Sequence, residues 1–239
     1  MNAAESLNPY AAPERIESLP GGRVYSWRFP LLLLAISWIT SLGHRLITEL
    51  AFRLMIDQGT AAEFARFETV MYFVAPIFLG AIVAKLTAMS LFCRNAATRS
   101  RRYTAAAVTI LVLATFLLEI TGLIVHLSGR TVTPDDWFVY WRMYSDNCEN
   151  LLLLITLCLF SRDLPSNRIR GIFIAGIFVG TGLVPFFLLL SVLGVQPVFP
   201  YQENLEVWSM LIQFGRPFAQ IATTFYVLRQ MKRDERNSL

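Results

Sequence analysis

The chain has 239 residues, 55% of them hydrophobic and only 16% charged, with a mean hydropathy of +0.50. That is too apolar for a soluble domain of this length and leaves no room for a second, soluble one; it fits several membrane spans in one compact bundle. The net charge of +4 comes almost wholly from arginine and follows the predicted loops, so it reads as a topology signal and argues against nucleic acid as a partner.

Residues 1–28 form a polar tail containing NPYAAP (Asn8–Pro13) and LPGG (Leu19–Gly22). Proline and glycine at that density predict a flexible segment. The NPYxxP-like run resembles tails of bacterial membrane proteins, but six residues assign no family.

Six transmembrane spans are expected, at about 29–55, 69–93, 103–127, 137–161, 169–195 and 205–228, followed by a charged tail, 229–239. The first is apolar only over Phe29–Leu42. Its outer half must therefore hold His44, Arg45, Glu49 and Arg53, with Arg45, Glu49 and Arg53 on one face at i, i+4, i+8. A signal peptide cut after Ser41-Leu42-Gly43 is a rival reading. The long preceding tail with three glutamates is unlike a short basic leader.

The second span carries Pro76 and one charge, Lys85, whose stem is expected to snorkel toward the cytoplasmic surface. The third places Thr115, Glu119, Gly122 and His126 along one stripe, and Glu119 is too deep in apolar sequence to belong to a loop. In the fourth, the uninterrupted apolar run Leu151–Phe160 is ten residues. It covers only ~15 Å of a ~30 Å hydrocarbon layer. The helix must recruit the turns before it, which bring Arg142, Asp146 and Glu149 onto one face at i, i+4, i+7. Trp137, Tyr140, Trp141 and Tyr144 mark an interfacial belt, with Glu149 ~12 Å or more below it.

The fifth span has no internal charge, a GxxxG at Gly176 and Gly180 that predicts close packing within the chain, and a kink at Pro185. The sixth has a polar stripe, Ser209, Gln213, Arg216, Gln220 and Thr223 or Thr224, at helical spacing. Arg216 falls near its midpoint, beside Pro217.

Lys and Arg number fourteen on one predicted side and two on the other, with Arg45, Arg53, Lys85, Arg142 and Arg216 inside spans. That bias predicts both termini in the cytoplasm and a bacterial-type cytoplasmic (inner) membrane location. Four acids (Glu49, Glu119, Asp146, Glu149) then face three arginines (Arg45, Arg142, Arg216) in the outward half, with His44 beside them. Each unpaired charge would cost at least ~2.5 kcal/mol in hydrocarbon, so mutual pairing is expected. Two readings follow. One is a water-filled, outward-open cavity that binds or transports a small polar or anionic solute. Arg142, Arg216, Gln213 and Gln220 would contact the solute, Glu119, Asp146, Glu149 and Glu49 would carry protons or charge, and His44 and Arg45 would support them. The alternative is a non-catalytic structural or assembly subunit of a membrane complex, its charges forming an ion-pair network. Beyond lipid, the expected partners are that solute or other membrane subunits.

No catalytic motif stands out. Glu49-Leu-Ala-Phe-Arg53 is similar to the ExxxR part of the EExxxR motif of CAAX-protease-like membrane peptidases. Thr48 replaces the first glutamate, however, and no FxxxH or HxxxN follows. HExxH and the rhomboid GxSG are absent as well. His44 and His126 differ in predicted height by ~13 Å, too far for paired haem ligation. Cys93, Cys148 and Cys158 show no CxxC or His/Cys spacing, so no disulfide framework, metal or cofactor is expected.

Overall fold

A computed structural model describes residues 25–128, 137–182 and 214–237, with the side chains at 126–127 and 137–144 outside that description. Among the described residues every regular element is helical: α1 (Arg28–Met55), α2 (Ala61–Arg94), α3 (Arg99–Leu127), α4 (Trp137–Phe160), α5 (Asn167–Ile177) and α6 (Arg216–Asn237). A 3-10 turn, Ser161–Asp163, ends α4, and α5 runs into a π-helical turn, Phe178–Gly182. Three helices are long and apolar enough to cross a membrane: α1, α2 and Arg99–Val125 of α3. Most of the predicted tail (1–24), Pro185, Ser209 and Gln213 lie outside the described residues.

Two boundaries differ most from the hydropathy reading. α2 begins at Ala61 rather than 69, because Thr60 and Glu63 form a capping box. The Thr60 hydroxyl accepts from the Glu63 N–H (3.3 Å) and the Glu63 carboxylate accepts from the Thr60 N–H (3.0 Å), satisfying two otherwise orphaned donors. The Thr60 backbone bond is the main reason the Glu63 carboxyl titrates below its usual range. α6 continues past 228 to Asn237, because its charged last turns are held: the Tyr25 hydroxyl donates to Asp234 (2.6 Å) and Arg28 pairs with Glu235. The same contacts pull Tyr25 and Trp27, 5% and 1% exposed, out of the predicted tail and into the fold.

Among the described residues each helix packs on the next described one, and α6 packs back on α1, so the six described helices form a ring in sequence order. The core occupies one end of it. Trp27 lies 6.3 Å from Phe92, 6.0 Å from Phe160 and 6.2 Å from Phe173, ring centre to ring centre, with Leu31, Met89, Leu157 and Met231 buried around them. Arg101 makes a bidentate bond to Asp163 (2.5 and 2.8 Å) and stacks over Phe160 at 5.2 Å. At the other end burial stops: no residue of α1 beyond Leu42 is buried. The outer surface carries exposed Phe29, Phe73, Ile110 and Ile124, the apolar exterior that hydrocarbon requires.

The GxxxG packs inside the chain. A Cβ on Gly176 would stand 2.0 Å from the Thr223 hydroxyl oxygen, and one on Gly180 would stand 1.9 Å from Cγ of Gln220. Gly171 has nothing within 4 Å. In a bundle whose helices gain little from hydrophobic burial, such close backbone approach is a main source of cohesion. Gly176→Ala and Gly180→Ala should therefore each cost about 1–3 kcal/mol, read as a lower Tm in detergent. Gly171→Ala should leave Tm unchanged or slightly raised; equal losses at all three positions would contradict this packing.

Candidate functional site

Above the aromatic end the ring encloses a cavity of about 930 Å³. Helical spacing explains how α1 and α2 line it. α1 presents Ser37, Trp38, Ser41, Leu42, His44 and Arg45, adjacent pairs that recur every three or four residues, and α2 presents Glu68, Tyr72, Ala75, Leu79, Ile82 and Lys85 in single steps of three or four, each set along one helical face. α3 contributes Thr115, Glu119 and Gly122, α4 contributes Asp146, Glu149 and Asn150, and α6 contributes Arg216, Pro217 and Gln220.

Of the residues singled out in the sequence, His44, Arg45, Glu119, Asp146, Glu149, Arg216 and Gln220 meet in this cavity. Glu49 does not. It pairs along α1 with Arg53 at 2.7 Å, and the Arg53 side chain is 57% exposed, so the pair contributes ~0.3–0.5 kcal/mol at most. Gln213 and the Arg142 side chain lie outside the described residues. Cys148 is exposed and is not part of the cavity wall, although Glu149 beside it is.

Lys85 is the largest correction. It does not snorkel to an end of its helix; its Nζ bonds Oε1 of Glu149 at 2.5 Å, with the two side chains 22% and 4% exposed. Lys85 is nine residues from the end of α2 and Glu149 eleven from the end of α4. That puts both Cα atoms ~14–17 Å from the closed ends of their helices. Ser37 donates to the Ala81 carbonyl (2.7 Å) one turn away on α2, fixing the α1–α2 register beside the pair.

Arg216 is held differently. Its Nε and Nη2 both donate to the Gly180 carbonyl, at 3.0 and 2.8 Å. That carbonyl belongs to the π-helical turn, where the ordinary backbone ladder is interrupted. The guanidinium therefore has a neutral partner and keeps its full charge toward the cavity. Arg45 is close enough to act on it electrostatically. Thr115 lines the cavity, but its hydroxyl oxygen is buried and has no hydrogen-bond partner among the described residues.

Heights follow from the ties at the closed end. Counting from the Arg28–Glu235 pair, Arg45 is 17 residues up α1 and Arg216 is 19 up α6. From the Arg101–Asp163 pair, Glu119 is 18 up α3 and Asp146 is 17 up α4, whereas Thr115 and Glu149 are each 14 up. At ~1.5 Å per residue, Arg45, Glu119, Asp146 and Arg216 share one level at ~26–28 Å. Thr115 and Glu149 share a lower one at ~21 Å, within reach of the extended Lys85 side chain. The described lining residues hold four carboxylates (Glu68, Glu119, Asp146, Glu149) against three basic groups (Arg45, Lys85, Arg216). No group of three or more potential metal ligands occurs among the described residues.

Glu68, Tyr72 and Lys85 escaped sequence reasoning. The Thr60-x-x-Glu63 capping signature was the signal: starting α2 there carries one helical face from Glu68 to Lys85. Comparison with protein-family models, curated proteins and solved structures finds no match for this chain.

Removing one partner of a buried ion pair leaves the other charge desolvated. Lys85→Met should cost about 3–5 kcal/mol, and Lys85→Met with Glu149→Leu should recover most of that. Unfolding of the single and double variants in detergent measures both. A double variant no more stable than Lys85→Met would refute the direct pairing.

Proposed function

We propose that this chain is a six-span protein of a bacterial-type cytoplasmic membrane, with both ends inside, that binds or transports a small polar or anionic solute through an outward-open cavity. The observation that carries this reading is the division of the ring. One end is packed with aromatic side chains and the other encloses a 930 Å³ space lined by charges from α1, α2, α3, α4 and α6. The arginine-rich loops at the packed end support its placement in the cytoplasm. A volume near the upper part of the usual range for ligand pockets exceeds what a structural ion-pair network needs. Within this reading Arg216 is the anion contact, Glu119 carries charge, and Lys85 holds Glu149 as the floor.

A second reading, a non-catalytic structural or assembly subunit, is favoured by one observation: Lys85 and Glu149 already satisfy each other, and a saturated pair calls for no ligand.

Water access separates the two. Ser41 lines the cavity, so Ser41→Cys, made with Cys93, Cys148 and Cys158 changed to serine, reports on it directly. Rapid labelling in intact cells by a membrane-impermeant maleimide is the expected result. Labelling only after denaturation would sink the cavity reading. Glu119→Gln should abolish a solute response while leaving the protein folded; loss of folded protein would move Glu119 into a structural network.

A further inference from the structure

The four ionisable groups of the upper level are sorted by sign. Arg45 and Arg216 stand on α1 and α6, which pack on each other, and Glu119 and Asp146 stand on α3 and α4, which do the same. Around the described part of the ring, α2 lies between the two pairs on one side, and α5 with its turn up to Gly182 lies between them on the other. At one height, then, one wall of the cavity is basic and the opposite wall acidic.

The basic wall is available to a ligand. Among the described residues Arg45 takes part in no ion pair, and the Arg216 guanidinium bonds the neutral Gly180 carbonyl and no carboxylate. Two guanidinium forks side by side match the planar geometry of a carboxylate. On the acidic wall each carboxylate offers about four acceptor sites, so an existing neighbour leaves room for an ammonium group.

Both signs line the cavity, and charge left uncompensated where water is scarce is costly. A ligand with one sign of charge would answer one wall only. A molecule carrying both signs adds nothing to the balance and satisfies both walls.

We infer that the cavity binds a small zwitterion of the amino-acid type, its carboxylate between Arg45 and Arg216 and its ammonium against Glu119 and Asp146. This rests on the reading of the cavity as a solute site. The full chain, purified in detergent, is melted with each of the twenty protein amino acids, and with lactate, ethanolamine and inorganic phosphate, at millimolar concentration. At least one amino acid should raise Tm by about 5 °C or more, with lactate, ethanolamine and phosphate giving far smaller shifts. Arg45→Gln and Asp146→Asn, one from each wall, should each abolish that shift, and if one fails to fold the other carries the test. A shift from lactate or phosphate as large as from any amino acid would overturn the inference, as would no shift from any amino acid. If Ser41→Cys labels from outside, such a failure falls on the zwitterion alone; if it does not label, the cavity reading fails with it.

Discussion

A carboxylate that is 3% exposed inside a bundle with an apolar exterior must be neutralised, and the pairing of Glu149 with Lys85 meets that requirement. The rest of the arrangement depends on it. A charge-assisted bond of 2.5 Å between α2 and α4 sets the height of α2 against α4 across α3. Thr115 and Gly122 keep the intervening face of α3 small and polar. α2 can reach that register because it starts at the Thr60 cap and carries its cavity face inward for eighteen residues, Glu68 to Lys85. Breaking the bond would leave one of the two charges without compensation where water is scarce.

The division of the ring into a packed end and an open one is a matter of side-chain size and sign. Trp27, Phe92, Phe160 and Phe173 converge from four directions and fill the axis at one end. Beyond Leu42 on α1 and above Val112 on α3, small residues and charges take over, and the axis can no longer be filled. Gly176 and Gly180 draw α5 against α6, which brings the Gly180 carbonyl to the Arg216 guanidinium. A small-residue contact made for packing thus also aims a cation into the cavity.

Much of the charged interior was legible in the sequence. The ten-residue apolar run of α4 is too short to span, so Asp146 and Glu149 had to lie inside, and Glu119 had no charged neighbours to carry it outward. The stripe on α6 placed Arg216 and Gln220 together. What was not legible has physical causes. Lys85 is near enough to a helix end that snorkelling and inward pairing predict the same sequence, and only the position of Glu149 decides between them. The polar run at 57–68 reads as a loop until the cap at Thr60 is recognised, which hid Glu68 and Tyr72. Glu49 shares a nominal face with Arg45, but four residues turn a helix by 400°, and the 40° overshoot carries Glu49 out of the cavity and onto Arg53. The packed ends of the chain, Tyr25–Arg28 and Asp234–Glu235, have no local signal at all, because each is ordered only by the other.

That last contact joins residues 209 positions apart, which sets an order of events during synthesis. The first helix emerges with Tyr25 and Arg28 lacking their acidic partners, and those partners are made only after α1 to α5. α1–α2 and α2–α3 hairpins can form locally as the chain grows, but α6 cannot be tied back to α1 until residues 234 and 235 exist. Synthesis halted before them would leave Tyr25 and Arg28 without these partners however well the earlier hairpins had packed.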